Sequence, residues 1–424
     1  MTYHNAVKFI KNAPNITPKD SSASERILKL CAALGNPQKR MKYIRLAGSN
    51  GKTVCARMIN SILNNADIKN GCLSMPIHSE IRENIRINGE PISMNETVSY
   101  VEEVAAAVAK INDENASTEE SRVFRPTAHE ILLCMAILAF NAHGCTVCIV
   151  ESDHNGEDPS RFLHAPFAAV ICGRIPSGEK QEILKIRSYI CRGIREIISA
   201  PQNQEAYKVI SDTCAAANCR LTQPTRNKFK ITNMNLRGTS FIYKDSEYSL
   251  RICGKFQTAN ALVAIESAEM LSRCGYKISA EAIKKGLSSV TAPCKFEILS
   301  ISPVIIADST HTGIAIGAVC DSLADFKKFT GTNVRLCLPE GELIPQYIEA
   351  LQTRGYSIEK ISSLADPTEE EKQEYSLPVT ISKTVKATAK DSLADLPKDH
   401  ILLISGPSNF TMKLKYELLA ILGF

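Results

Sequence analysis

Three features of the sequence predict an α/β protein with two domains. Short apolar segments alternate with amphipathic helical segments along most of the chain, which is typical of a mostly parallel sheet flanked by helices. A glycine-rich turn at 48–51 joins the first of these strands to a helix. The alternation begins again after Pro293. We therefore predict a larger N-terminal domain at 1–291 and a smaller C-terminal α/β, Rossmann-like domain at 292–424.

The elements of the N-terminal domain follow from the spacing of its apolar residues. Helices are predicted at 3–11, 23–34, 52–65, 96–111 and 127–142, and strands at 43–47, near Cys72, at 146–150 and at 168–172. From 228 to 252 the apolar residues recur at every second position, which predicts a small antiparallel insert. Two further helices are expected at 258–274 and 280–287.

The C-terminal domain repeats the pattern in shorter form. Strands are predicted at 304–307, 334–338, 358–361 and 401–404, and helices at 314–326, 343–354 and 383–394. This order of strand and helix predicts a second parallel sheet.

Composition excludes several classes of protein. The chain has 424 residues, of which 44% are hydrophobic and 22% charged, as in ordinary globular proteins. A net charge of +5 is too small to indicate a nucleic-acid partner. Since no apolar run reaches about 18 residues, we expect no membrane span. The 15 cysteines are scattered through apolar segments without a signal sequence, so we expect buried thiols in a reducing cytoplasm.

The turn after the first strand has the features of a phosphate-binding loop. Gly48-Ser49-Asn50-Gly51-Lys52-Thr53 follows a strand and opens a helix. Backbone N–H groups at a helix start bind anions, a lysine there reaches the outer phosphates, and a threonine hydroxyl suits Mg²⁺. An ordinary glycine-rich turn is the alternative, but the Lys-Thr pair favours a nucleotide. Only two residues separate the two glycines, which is shorter than the usual eight-residue loop.

These and later motifs resemble folylpolyglutamate synthase/dihydrofolate synthase, a family of the Mur ligase superfamily. The segments that carry the resemblance are Leu34-Gly-Asn-Pro-Gln38, Ala47-Gly-Ser-Asn-Gly-Lys52, Arg86-Ile-Asn-Gly89, Gly254-Lys-Phe-Gln257-Thr-Ala-Asn260-Ala261, Pro293-Cys-Lys-Phe-Glu297 and Asp308-Ser-Thr-His311. They occur in order over almost the whole chain. The resemblance implies a Mur ligase-like fold, in which a P-loop domain precedes a smaller α/β domain.

The resemblance also implies an ATP-dependent amide ligase of one-carbon metabolism. Such an enzyme activates a folate-like or other carboxylate as an acyl phosphate and joins it to glutamate or another amino acid. By this resemblance Lys52 and His311 are catalytic, Thr53 and Glu151 hold Mg²⁺, and Gly48, Ser49, Asn50, Gly51, Lys52, Thr53, Gln257, Asn260, Lys295 and Asp308 bind ATP. Lys295 stands where the family has arginine and lacks its two-pronged guanidinium. A cytoplasmic monomer is expected.

Departures from the family concentrate at the expected active site. Met75-Pro-Ile77 replaces Ser-Pro-His, and Glu157 replaces an arginine. Gly178 and Cys191 stand where the family has a histidine and a carbamylated lysine that bind a second metal. Neither replacement can supply those ligands, so we predict that the second metal site is weakened or absent.

Three hypotheses follow. The chain is a divergent ATP-dependent ligase, or a nucleotide-binding relative that has lost ligase turnover and acts as a binding or regulatory protein, or an unrelated P-loop hydrolase. The third is disfavoured by the motifs after Gly254. Without the resemblance, Glu151 would be read as a solvated carboxylate and Asn260 as a local hydrogen-bonding residue.

Overall fold

An eight-stranded sheet organises the N-terminal part of the molecule. The structure is a computed structural model, and it describes residues 1–14, 23–48, 50–75, 80–116, 123–152, 168–175, 178, 180–181, 183–184, 194–310, 313–328, 330–339, 343–364 and 379–423. Its strands are β1 (Lys42–Ala47), β2 (Asn70–Leu73), β3 (Ile85–Ile87), β4 (Glu90–Pro91), β5 (Val147–Glu151), β6 (Ala168–Ile171), β7 (Glu196–Ser199) and β8 (Arg220–Thr222). Their spatial order is β4-β3-β2-β5-β1-β6-β7-β8.

The centre of this sheet is parallel and β1 lies at its switch point. β1 pairs in parallel with β5 on one side and with β6 on the other. β3 and β4 are antiparallel additions at one edge. Because β1, β5 and β6 are buried along almost their whole length, they are runs of apolar residues without alternation. Open α/β sheets bind ligands at the carboxyl ends of the strands beside such a switch point.

Several helices begin with a side-chain cap. The helices of this part of the chain are α1 (Tyr3–Lys11), α2 (Ala23–Ala33), α3 (Lys52–Asn65), α4 (Met94–Ala116), α5 (Ala128–Ala142), α6 (Gln204–Ala216), α7 (Lys255–Arg273) and α8 (Ala280–Ser289). Thr127 and Glu130 form a reciprocal capping box at the start of α5. The buried Arg26 also donates its Nε–H to both carboxylate oxygens of Glu130, at 3.0 and 3.1 Å, which ties α2 to α5.

The C-terminal part contains two further sheets. β9 (Phe229–Asn235), β10 (Gly238–Tyr243) and β11 (Ser246–Leu250) form the predicted antiparallel insert. The other sheet has the order β12-β13-β17-β14-β15-β16 and is parallel except at β12. Its elements are β12 (Glu297–Ile301), β13 (Val304–Asp308), α9 (Gly313–Asp325), β14 (Asn333–Leu338), α10 (Ile344–Gln352), β15 (Ser357–Ser363), β16 (Val379–Ile381), α11 (Val385–Leu393), β17 (Ile401–Ser405) and α12 (Ser408–Leu422).

The chain forms two compact units and passes between them more than once. The first comprises Met1–Thr225 and Ala259–Leu287, and the second Arg226–Thr258 and Ser288–Phe424. The single boundary predicted between 291 and 292 lies close to the last passage. The units differ from that prediction because the antiparallel insert belongs with the C-terminal residues. The division into functional domains at 1–291 and 292–424 stays a prediction.

The predicted α/β class is confirmed, with a mostly parallel sheet followed by a second α/β sheet. Within the described ranges, no helix combines the length and apolar character that crossing a membrane requires.

Candidate functional site

The glycine-rich loop occupies the switch point of the larger sheet. β1 ends at Ala47, and α3 begins at Lys52. Gly48 and Gly51 have φ values of 115° and 83°, which favour glycine. A Cβ on Gly48 would lie 2.1 Å from the carbonyl oxygen of Cys172, at the end of β6. The turn therefore requires glycine both for its backbone conformation and for the close approach of two strand ends.

The side chain of Lys52 bonds back to the first residue of the glycine-rich loop. This side chain is buried, and its Nζ donates to the carbonyl oxygen of Gly48 at 2.6 Å. This bond curls the lysine over the turn, so that its charge lies among the backbone groups of the loop. Lys52 also lowers the pKa of Glu151 electrostatically, which indicates that the two charges are close.

Glu151 is placed by the sheet register. It is the last residue of β5 and pairs with Leu46 of β1, one residue before the strand ends. The side chain is completely buried. Its Oε2 accepts hydrogen bonds from the Thr53 hydroxyl at 3.1 Å and from the Met75 backbone N–H at 3.4 Å. Its Oε1 has no hydrogen-bond partner among the described residues.

Burial raises the pKa of Glu151 above its usual value, because a buried carboxylate loses the solvation of its charge. Lys52, Met75, Thr53 and Arg57 oppose this shift without overcoming it. A buried carboxylate oxygen without a hydrogen bond is unfavourable unless a further donor or a cation compensates it. The hydroxyl of Thr53 and the carboxylate of Glu151 are the hard oxygen donors that Mg²⁺ prefers. The residues present thus fit a single Mg²⁺ ion beside the loop.

Asn260 lies against the other side of the loop. The Cys55 thiol, in the first turn of α3, lies 3.7 Å from the side-chain oxygen of Asn260 and 3.8 Å from its backbone oxygen. A Cβ on Gly51 would lie 2.5 Å from the same side-chain oxygen. The structure therefore brings Asn260 to Gly51. The contact with a nucleotide base that the resemblance implies stays a prediction.

The remaining described site residues meet in the second unit. Asp308 ends β13, and its Oδ2 accepts the Phe296 N–H at 2.6 Å. Gln257 donates its side-chain N–H to the Lys295 carbonyl oxygen at 3.0 Å. Asp308 is buried, and its Oδ1 has no partner among the described residues. Burial raises the pKa of Asp308, while the nearby Lys295 charge and hydrogen bonds from Thr310 and Phe296 oppose the shift.

The segment around Lys295 has an unusual backbone. Cys294 and Phe296, on either side of Lys295, have φ values of 53° and 56°. Left-handed conformations are uncommon in residues other than glycine and cluster at functional sites. Cys294 is held by its N–H donating to Glu297 at 2.8 Å, and its carbonyl accepts the Ser309 N–H at 2.7 Å. The strained turn thus fixes Lys295 beside the end of β13.

Several contacts of the site were not predicted. The backbone N–H of Met75 and the carbonyl of Cys172 act through the main chain, so residue identity gives no signal for them. Gly173, with φ of 69°, approaches the carbonyl oxygen of Asn50 so closely that a Cβ would lie at 2.9 Å. A glycine directly after a buried strand was the available sequence signal for this last contact.

The structure describes some of the positions named from the sequence and not others. Ser49, His311, Ile77, Glu157 and Cys191 lie outside the described residues. Gly178 is described, and its φ of 83° suits glycine. Within the described residues, no group of three or more His, Cys, Asp or Glu side chains could hold a metal ion. The weakening of a second metal site therefore stays a prediction.

Comparison with known proteins finds several relatives with similar names. No family model matches the chain. It is 24% identical over 337 residues to the folylpolyglutamate synthase of Lacticaseibacillus casei, covering 76% of this chain and 77% of that protein. It is 25% identical over 338 residues to the dihydrofolate synthase/folylpolyglutamate synthase of Mycobacterium tuberculosis, covering 72% and 68%. It spans half the length of a probable bifunctional folylpolyglutamate synthase/dihydropteroate synthase of Halobacterium salinarum, at 23% identity and with 96% of this chain covered.

Solved structures agree with these relatives in fold. The apo form of the L. casei enzyme aligns over 100% of both chains with a TM-score of 0.81 and 21% identity. A complex of FPGS with AMPPCP and folate aligns over 99% of this chain and 100% of that chain, with a TM-score of 0.79 and 20% identity. The same kind of protein is indicated by the order of the sequence motifs, by the two α/β sheets and by the similarity to these relatives and structures. The chain is thus similar in sequence and in fold to proteins named folylpolyglutamate synthase and dihydrofolate synthase/folylpolyglutamate synthase.

Proposed function

We propose that this protein is an ATP-dependent ligase that joins a carboxylic acid to an amino acid. The observation that carries the proposal is the grouping of Lys52, Thr53 and Glu151 around a glycine-rich turn at the switch point of the sheet. Lys52 Nζ lies 2.6 Å from the Gly48 carbonyl oxygen, and Thr53 lies 3.1 Å from Glu151. A phosphate chain and a hydrated cation match this set of charges.

The proposed reaction requires the protein to stabilise the negative charge of the phosphate groups. ATP transfers its γ-phosphoryl group to the acid and ADP leaves. The amine then attacks the carbonyl carbon of the acyl phosphate, which forms the amide and releases inorganic phosphate and a proton. Phosphoryl transfer depends mainly on positioning and electrostatic stabilisation. Mg²⁺, when bound, neutralises phosphate charge. Backbone N–H groups at the start of α3 and the Lys52 ammonium would bind the phosphates, while Thr53 and Glu151 would hold the ion through oxygen atoms.

By the resemblance, three residues of the second unit, Gln257, Lys295 and Asp308, are also proposed to bind ATP. Lys295 supplies a positive charge next to Asp308, and Gln257 fixes the Lys295 backbone by a 3.0 Å hydrogen bond. His311, three residues after Asp308, is proposed as a catalytic residue on the resemblance alone. Ser49, Asn50 and Gly51 of the loop and Asn260 complete the proposed nucleotide site.

The acid and the amine are proposed from the relatives. The L. casei relative is named folylpolyglutamate synthase, and one similar solved structure is a complex with AMPPCP and folate. A reduced folate and glutamate are therefore the first substrates to test. We propose a monomer in the cytoplasm, in keeping with the buried thiols.

A second candidate function is nucleotide binding without ligase turnover. It is favoured by the glycine at 178 and the cysteine at 191, because neither can replace a metal-binding histidine or lysine. A neutral thiol and a hydrogen atom do not bind a hard cation in place of nitrogen and oxygen ligands. Both candidates require ATP to bind at Lys52.

Nucleotide binding is tested by thermal unfolding with and without ATP and Mg²⁺. A ligand at 100 times its Kd stabilises the folded state by about 2.7 kcal/mol, so a clear rise in Tm is expected. Lys52→Ala should abolish the rise. Lys110→Ala, on the exposed face of α4, is the matched control and should keep it. If ATP fails to raise the Tm of the unmodified protein, both candidate functions are wrong.

A further inference from the structure

Residues 172–173, which follow β6, pack against the glycine-rich loop. Cys172 donates its N–H to the Ala47 carbonyl oxygen at 2.8 Å, which extends the pairing of β6 with β1 to the last residue before the loop. The Cys172 carbonyl lies where a Cβ on Gly48 would be, and Gly173 lies against the carbonyl of Asn50. The course of residues 172–173 therefore limits where the loop backbone can lie.

The side chain of Gln202 holds this segment at two points. Its Nε2 donates to the Gly173 carbonyl oxygen at 2.9 Å, and its Oε1 accepts the Ile175 N–H at 2.9 Å. The side-chain amide of Gln202 thus bonds to both Gly173 and Ile175, as the backbone of a neighbouring strand would. Gln202 is itself half-buried, and its Nε2 also approaches the Ser199 hydroxyl at 3.4 Å.

Asn203 adds a third bond to the same segment. Its Nδ2 donates to the Ile175 carbonyl oxygen at 2.9 Å, while its Oδ1 caps α6 by accepting the Ala206 N–H at 2.8 Å. Ile175 is buried against the apolar cluster under β7 and α6. Both polar groups of the Ile175 backbone are therefore fixed by neighbouring side chains of one short connection, between β7 and α6.

We propose that Gln202, assisted by Asn203, is a positioning residue for the nucleotide site, because it fixes Gly173 and thereby the backbone of the phosphate loop at Asn50. Backbone N–H groups bind a phosphate chain well only when they are already aimed at it, so a displaced loop costs affinity. This inference rests on the proposed function, since it concerns the ATP that the loop would bind.

The alternative is that Gln202 only stabilises the fold. The two roles differ in what they change. A stabilising residue changes the Tm but leaves the affinity of the folded protein for ATP unchanged. A positioning residue changes the affinity measured at a temperature where all of the protein is folded.

The test measures Kd for ATP with Mg²⁺ by isothermal titration calorimetry, together with Tm. Gln202→Met keeps the length of the side chain and removes both bonds. Asn203→Asp keeps an oxygen to cap α6 and removes the bond to Ile175. Gln223→Met is the matched control, since Gln223 donates only to the Ala200 carbonyl at 3.3 Å and not to 173–175.

We expect Kd to rise about tenfold in Gln202→Met and about threefold in Asn203→Asp, and to stay within about twofold in Gln223→Met. Unchanged affinity in a folded Gln202→Met protein overturns the inference while the proposed function stands. If Gln202→Met does not fold, Gln202→Glu replaces it. That variant keeps the acceptor for Ile175, loses the donor to Gly173, and should also weaken binding. If the unmodified protein binds no ATP, the proposed function fails and the inference fails with it.

Discussion

Burial of Glu151 lowers the stability of the folded state, while its carboxylate is a ligand of the proposed Mg²⁺ site. Glu151 is completely buried, one oxygen is hydrogen-bonded to Thr53 and Met75, and the other has no partner among the described residues. An unsatisfied buried carboxylate destabilises the folded state. A bound cation would remove that cost, so stability and metal binding should change in opposite directions when the charge is removed.

The variant Glu151→Gln tests this opposition. The amide keeps an oxygen to accept the hydrogen bonds of Thr53 and Met75 but carries no charge. Without ligands we expect a Tm at pH 7 that is higher by about 2 °C or more. With ATP, the additional rise in Tm on adding Mg²⁺ should disappear. A variant that is less stable without ligands, or that keeps the full Mg²⁺ effect, would contradict this role for Glu151.

The raised pKa of Asp308 predicts how the stability of the protein depends on pH. This pKa is raised in the folded protein, mainly by burial, from an ordinary value of 3.8. Between the ordinary and the raised value the folded state binds more protons than the unfolded state. Stability is therefore lost as pH rises through this window. Asp308→Asn removes the titrating group, so its Tm should equal that of the unmodified protein near pH 4 and exceed it above the window.

Thermal unfolding from pH 4 to pH 8 checks this expectation. Asp325→Asn is a suitable control, since Asp325 pairs with Lys255 and its side chain is partly exposed, whereas Asp308 is buried. A Tm difference between Asp308→Asn and the unmodified protein that is constant across this range, or that grows as pH falls, would be inconsistent with a raised pKa.

The sequence could identify residues whose side chains do chemistry, but not those that act by position. Glu151 is recognisable because a carboxylate ends an apolar strand, and Lys52 because it follows a glycine turn. Gln202 bonds to Gly173 and Ile175, nearly 30 positions earlier in the chain, and its contacts depend on how β6 and β7 align. No local pattern predicts such a pairing.

At the scale of elements, the glycine-rich turn depends on the tight packing of two strand ends. Gly48→Ala places a methyl group at the Cys172 carbonyl oxygen and forces an unfavourable φ. We expect a loss of about 3 kcal/mol or more in the free energy of unfolding and a loss of ATP binding. Gly317→Ala is the control, because Gly317 lies within α9 with no heavy atom near its Cβ position.

For the control we expect a gain of about 0.5–1 kcal/mol, since alanine favours helix. Chemical denaturation of both variants gives the comparison. A Gly48→Ala protein as stable as the original would mean that the strand ends are less tightly packed than described.

Most of the continuous apolar strands were predictable from the sequence. Strands β1, β5, β6, β13, β14 and β17 are buried apolar runs and were predicted to within one or two residues. Edge strands such as β12, β8 and β16 were not, because they are half-exposed and short, and β12 is bulged. Helix α7 begins at Lys255 rather than at 258, since Gly254 accepts the Gln257 N–H and starts the first turn.

At the scale of the whole molecule, the proposed nucleotide residues divide between the two compact units. Lys52, Thr53 and Glu151 belong to the first, and Lys295 and Asp308 belong to the second. The class of fold could be predicted because alternation of strand and helix is repeated along the chain. The grouping of the antiparallel insert with the C-terminal unit could not be predicted. It depends on long-range packing of Met234, Leu236 and Cys253 in the apolar core of the second unit.

The central claim is that this chain couples ATP cleavage to amide formation. The most direct measurement is ADP release with Mg²⁺, ATP, a reduced folate and glutamate, with the product identified by mass spectrometry. We expect ADP and a folate extended by one glutamyl residue in equal amounts, and no ADP when either the acid or the amine is omitted. ATP that raises the Tm without releasing ADP across a broad panel of acids and amines would contradict the claim and favour the binding protein.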